Sequence, residues 1–150
     1  MDWRHMTAGA LALYLLRDKT IERVRNILDT IEFIDCDKES EYKEGLVEIL
    51  REEIKDCYIE TEHGLGRGRR DIWIRNRDSG KTAVIEIKLE LSTSSETKRL
   101  IGQLVQYSPD ADVLFVVLID PDPDQQSELE QAIDRTFDEN KIEIHIFESE

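Results

Sequence analysis

The chain has 150 residues, 39% of them hydrophobic and 36% charged, which suits one domain with a real core and argues against global disorder. Its formal net charge is −14, from 20 Lys plus Arg against 34 Asp plus Glu, and this excludes a protein coated in nucleic acid, because an acidic surface repels phosphate. Two isolated cysteines, Cys36 and Cys57, lack zinc-ligand spacing and read as reduced thiols of a cytoplasmic protein.

Residues 8–16 are apolar but fall short of the roughly 20 needed to cross a bilayer. They also lack the basic flank and small-residue cleavage site of a signal peptide. They read as part of a buried helix, with no membrane partner. Residues 7–34 carry helical periodicity through Leu11, Leu15, Leu16, Ile21, Val24, Ile27, Leu28 and Ile31. They form one long helix or a hairpin of two, the second capped by Thr20, with Arg23 where a capping box would place glutamate. Asp35 to Ser40 is a polar break. A helix follows from about Glu41 to Asp56, with Tyr42, Leu46, Ile49 and Leu50 on its apolar face.

The period then changes from 3.6 to 2. Tyr58 to Thr61 predicts a short strand. In Arg70 to Arg77, Ile72 and Ile74 face one way and Asp71, Trp73 and Arg75 the other. Asp78 to Lys81 is a turn, and Thr82 to Leu89 completes a hairpin. Ser92 to Ser95 offers N-caps for a helix ending near Tyr107, which Pro109 stops. Val113 to Ile119 is a continuous apolar run, the mark of a strand buried on both faces. Asp120 to Asp124 is a turn, residues 126–138 a helix, and Ile142, Ile144 and Ile146 alternate in a last strand. The order predicts an α/β fold with a mixed central sheet and helices on its faces. The chain divides into an N-terminal helical segment, 1–36, and a domain over 37–150.

Glu86 and Lys88 are two apart on the same strand and project together, while Ile85, Ile87 and Leu89 face the opposite side. Charges on a buried strand are tolerated when they pair or serve a site. The hairpin can set Asp71 beside Glu86. Two adjacent carboxylates repel, and a divalent cation resolves the repulsion; hard carboxylate oxygens suit Mg²⁺ or Mn²⁺. A lysine there can hold water or stabilise charge developing on a phosphate. The bland alternative is a surface hairpin with a simple Glu86–Lys88 pair. Gln103 and Tyr107, four apart, share one face of the next helix.

With these residues in order, the chain resembles the PD-(D/E)xK nuclease superfamily, in the branch that carries a QxxxY motif, as in RecB-like and NucS-type nucleases. The resemblance rests on Gly68-Arg69-Arg70-Asp71-Ile72, on Ile85-Glu86-Ile87-Lys88 and on Gln103 to Tyr107, and covers roughly residues 38–120. It implies a restriction-endonuclease-like αβββαβ core, preceded by the N-terminal helical segment and followed by an αβ extension. It implies that Asp71 and Glu86 bind the metal with the Ile87 backbone carbonyl, that Lys88 assists catalysis, and that Gln103 and Tyr107 orient the site or touch the nucleic-acid backbone. The family often adds a glutamate from the first core helix; Glu39 fits best, with Glu44 and Glu48 as rivals. Arg70 stands where many members have proline.

The charge objection has a local answer. Residues 63–108 hold nine basic and five acidic side chains, a net +4, against −18 for the rest. Arg67, Arg69, Arg70, Lys98 and Arg99 in that segment are the candidate phosphate contacts. Gly80-Lys81-Thr82 is not a P-loop, since it joins two strands and lacks the upstream glycine, and His5, His63 and His145 show no metal-ligand spacing. Two functions are therefore expected: a metal-dependent nuclease acting on DNA, or a non-catalytic module of the same fold whose acidic exterior meets protein partners. The apolar N-terminal helices offer a surface for pairing two chains.

Overall fold

A computed structural model describes residues 7–9, 19–64 and 69–149, with the side chains of 62–64 and 69 outside that description. Most of the expected helix over 8–16, with its self-association surface, and the glycine loop with Arg67 therefore lie outside the described residues. Ten elements follow: α1 (Thr20–Thr30), α2 (Glu39–Glu53), β1 (Cys57–Gly64), β2 (Arg69–Asn76), β3 (Thr82–Leu89), α3 (Ser94–Tyr107), a short 3-10 turn (Ser108–Asp110), β4 (Val113–Ile119), α4 (Pro123–Thr136) and β5 (Ile142–Phe147). None of the described helices is long and apolar enough to cross a membrane.

The strands form one sheet in the order β1-β2-β3-β4-β5. The first three are antiparallel neighbours and the last three parallel ones. This is the mixed α/β architecture expected, with an αβββαβ core and an αβ extension. The division follows from connection length. A five-residue connection joins β2 to β3, where Asn76 Oδ1 accepts the N–H groups of Asp78 and Ser79 at 2.9 and 3.0 Å and Gly80 takes φ +75°. Parallel neighbours need a crossover, and α3 and α4 supply the two required.

Strand alternation sorts the core into two layers. Ile72, Ile74, Ile85, Ile87, Phe115 and Val117 pack with Val24 and Leu28 of α1 and Tyr42, Leu46, Val47 and Leu50 of α2. On the opposite face Val84, Leu114, Val116 and Leu118 pack with Leu100, Leu104 and Tyr107 of α3 and Leu129 and Ile133 of α4. Asp71 and Glu86 share parity with Trp73 and Val84, so they belong to the second face.

Helix boundaries differ from expectation for local reasons. Lys19, not Thr20, is the N-cap of α1; Thr20 instead turns its hydroxyl inward, where it accepts from Asn76 Nδ2 at 3.2 Å. The helix ends at Thr30 rather than residue 34, because Phe33 leaves in extended chain to meet Tyr42 and Phe147 edge-on at 5.0 and 5.1 Å. Helix α2 starts two residues early, where Glu41 Oε1 accepts from the Lys38 N–H at 3.0 Å. The Asp120–Asp124 turn ends in a helix cap: Asp122 accepts from the N–H groups of Asp124 and Gln125, both at 3.1 Å. Cys36 is half-buried and Cys57 buried, and neither takes part in a disulfide among the described residues.

Candidate active site at the parting of two strands

Strands β2 and β3 pair from Arg75↔Thr82 to Ile72↔Ile85 and no further. Continuing that register would set Asp71 opposite Glu86. There the side chains take over from the backbone ladder: the Asp71 N–H donates to Glu86 Oε1 at 3.0 Å, and the Ile87 N–H donates to Asp71 Oδ2 at 2.9 Å. Each carboxylate is thus fixed to the other strand. One residue pair later on the same edge of β3, the Leu89 N–H donates to Glu39 Oε2 at 3.3 Å. Within a strand the N–H and C=O of one residue leave toward the same edge, so the Ile87 carbonyl also points into this gap, away from β4.

Glu86 is only 2% exposed. Burial first, and then the negative charge of Asp71, push its carboxyl up to about 8; the nearby Lys88 ammonium opposes the shift. Without a cation the pair therefore keeps a proton at neutral pH. Lys88 is half-buried on the face that carries Glu86.

Helix α3 closes the site from above. Thr93 caps its start, accepting from the Glu96 N–H at 3.2 Å, so the helix runs in register to Tyr107. Gln103 and Tyr107 lie on its inner side. Gln103 is half-buried, with its Oε1 buried and lacking a protein partner among the described residues, and Tyr107 is 2% exposed. Burial, followed by the charges of Glu86 and then Asp71, raises the Tyr107 phenol to about 12, against an opposing effect of Arg70. The phenol therefore stays protonated within the field of both carboxylates.

The proposed phosphate contacts divide. Lys98 and Arg99 are exposed on α3. Arg67 and the Arg69 side chain lie outside the described residues. Arg70 is 1% exposed, ion-paired through Nη2 to Asp110, with its Cζ 5.1 Å from the Tyr107 ring centroid. Arg70 is therefore an interior residue, unlike the surface position its place in the basic segment suggested. Asp110 carries no signal in the sequence, where Ser108-Pro109-Asp110 reads only as a helix stop.

The donors suit a small hard cation. Asp71 and Glu86 could contribute carboxylate oxygens and Ile87 a carbonyl; Mg²⁺ usually keeps several waters, so one or two carboxylates would suffice. Burial, and after it the charge of Asp71, raises the Glu86 carboxyl, and a cation held there would favour its ionised form. Glu39 sits on the same strand edge, but among the described residues no three His, Cys, Asp or Glu side chains converge as a ready metal cage.

No family model matches the chain, and no curated protein matches it in sequence. Several solved structures are similar at low identity. SfsA from Pyrococcus furiosus, in complex with Ca²⁺, has a TM-score of 0.47 at 19% identity over 73% of this chain and 55% of its own. An EndoMS–dsDNA complex has 0.46 at 16% over 79% and 49%. A repair endonuclease from Pyrococcus abyssi has 0.43 at 16% over 77% and 50%. The chain thus spans about half the length of the structures it resembles.

Proposed function

We propose that this chain is a metal-dependent nuclease that hydrolyses phosphodiester bonds of DNA at the gap between β2 and β3. The observation that carries the reading is the reciprocal bonding of Asp71 and Glu86 around the Ile87 backbone, with Glu86 buried and proton-hungry. A surface ion pair does not require this arrangement. A divalent cation held by Asp71, Glu86 and the Ile87 carbonyl would supply Lewis-acid stabilisation of the phosphate oxygens and a more acidic water.

The chain's own groups do the rest. Lys88, on the face of Glu86, places a positive charge where the scissile phosphate gains negative charge. Tyr107, held protonated, donates a hydrogen bond from the α3 side, and Gln103, one turn earlier on that face, offers a carbonyl oxygen to orient water or substrate. Glu39 stands ready along the β3 edge as a further acidic group. Arg67, Arg69, Lys98 and Arg99 guide the nucleic-acid backbone to the site, while the acidic remainder limits non-specific binding.

The test is incubation with labelled single- and double-stranded DNA in Mg²⁺, Mn²⁺ or EDTA. Cleavage with either metal and none with EDTA supports the reading. Intact DNA in all three favours the second function, a non-catalytic module whose acidic exterior binds protein partners.

A further inference from the structure

Burying Arg70 carries a cost that its ion pair does not recover. A guanidinium has five N–H donors. Nη2 is paired with Asp110, whereas Nε and Nη1 are buried without a protein partner among the described residues. The Asp110 side chain is 45% exposed, so solvent weakens that pair. A buried donor left unpaired carries a desolvation penalty, which an apolar side chain at this strand position would avoid. What the arginine does obtain is the face of Tyr107, 5.1 Å from Cζ to ring centroid. Arg70 directly precedes Asp71 on β2, and Tyr107 is the last residue of α3. The contact therefore ties the end of the roof helix to the strand that carries one carboxylate.

We propose that Arg70 is a positioning residue: its guanidinium holds the Tyr107 ring, and with it the phenol hydroxyl, beside the Asp71–Glu86 pair, and it influences hydrolysis only through Tyr107. The kinetic consequence rests on the nuclease reading; the geometric one does not. A flat, delocalised cation can lie against an aromatic face and still reach a carboxylate from its edge, which an ammonium cannot do in the same geometry. Arg70→Lys should consequently preserve only part of the effect.

Two measurements decide it. In metal-free protein labelled with ¹³C-tyrosine, Arg70→Gln should shift and broaden the ring resonances of Tyr107 while leaving those of Tyr42, on the opposite sheet face, in place. Unchanged Tyr107 resonances overturn the proposal. In cleavage kinetics, Arg70→Gln and Tyr107→Phe should each lower kcat by about tenfold with KM held within about twofold, and the double variant should be no slower than the slower single. Effects that multiply to about a hundredfold overturn it. So does a raised KM with unchanged kcat, which would make Arg70 a substrate-binding residue. Should Arg70→Gln fail to fold, Asp110→Asn frees the same guanidinium from its exposed end; it should move the Tyr107 resonances in the same sense, and their constancy overturns the proposal. Absence of any cleavage by the wild type would sink the nuclease reading alone, because the NMR comparison still decides whether Arg70 holds Tyr107.

Discussion

Asp71 and Glu86 are bonded reciprocally across parting strands: Glu86 Oε1 accepts the Asp71 N–H at 3.0 Å, and Asp71 Oδ2 accepts the Ile87 N–H at 2.9 Å. Two carboxylates are held close by backbone donors that do not neutralise them, and burial, then the charge of Asp71, pushes the Glu86 carboxyl up to about 8. Chemistry, stability and metal response should all follow from this one relationship.

Asp71→Asn and Lys88→Ala should each abolish cleavage, with reductions of about a hundredfold or more, while the melting temperature stays close to wild type. Asparagine keeps an acceptor for the Ile87 N–H, and Lys88 is half-buried, so neither change empties the core. Activity rates and thermal melts on the same preparations check both halves. Wild-type rates in both variants would remove the catalytic assignment.

The metal-free protein should lose stability as pH rises. The Glu86 carboxyl is near 4.5 when unfolded and is pushed up to about 8 when folded. Below the lower value both states hold the proton and nothing changes. Between the two the unfolded state has released it and the folded state has not, so stability falls with pH, and the decline is complete above the upper value. Glu86→Gln keeps the oxygen that accepts from Asp71 and removes the titration. It should raise the metal-free melting temperature by roughly 5 °C at pH 8 and by little at pH 4. Melts across that range read the difference directly.

Nucleic-acid binding should weaken steeply with salt, and the slope should separate surface charges from the interior arginine. Neutralising Lys98 or Arg99, one phosphate-binding charge at a time, should flatten the log–log salt dependence by about 0.7 to 0.9 per residue. Arg70→Gln should leave that slope unchanged, because its guanidinium is 1% exposed. Binding isotherms at several salt concentrations distinguish the two; a shallow slope indifferent to Lys98 and Arg99 would count against a phosphate-binding patch.

Asn76→Ala should destabilise by about 2–3 kcal/mol without touching the reaction. The side chain accepts two N–H groups of the β2–β3 turn and donates to Thr20 at 3.2 Å and Asp56 at 3.1 Å, at the end of the sheet remote from Asp71. Chemical denaturation with a parallel activity assay should show a lower midpoint and an unchanged specific rate.

The sequence made the layers legible because side-chain period reports burial. The continuous run Val113 to Ile119 is a strand buried on both faces, and the shift from period 3.6 to 2 after Asp56 marks the start of the sheet. The parity of Asp71, Glu86 and Lys88 on β2 and β3 is equally a matter of counting. Less visible was whatever depends on non-local partners. Arg70 and Arg75 are alike in sequence, yet Arg70 is interior because Asp110 and Tyr107, forty and thirty-seven residues on, receive it, while Arg75 is exposed. Thr20 looked like a cap because threonine caps helices, but Asn76 drew its hydroxyl inward. Phe33 ended α1 early through rings brought from α2 and β5. Local pattern carries none of these, since each is decided by which element arrives opposite.

The central claim, that the Asp71–Glu86 gap is a divalent-cation site, is tested most directly by melting the substrate-free protein with and without Mn²⁺ at pH 8, where the Glu86 proton competes less than at neutral pH. A cation that binds only the folded state at a hundredfold over its Kd adds about 2.7 kcal/mol. The melting temperature should therefore rise with Mn²⁺, return with EDTA, and stay flat in Glu86→Gln. No response in the wild type, together with a metal-free Glu86→Gln less stable than wild type, would contradict the account and leave a Glu86–Lys88 ion pair in its place.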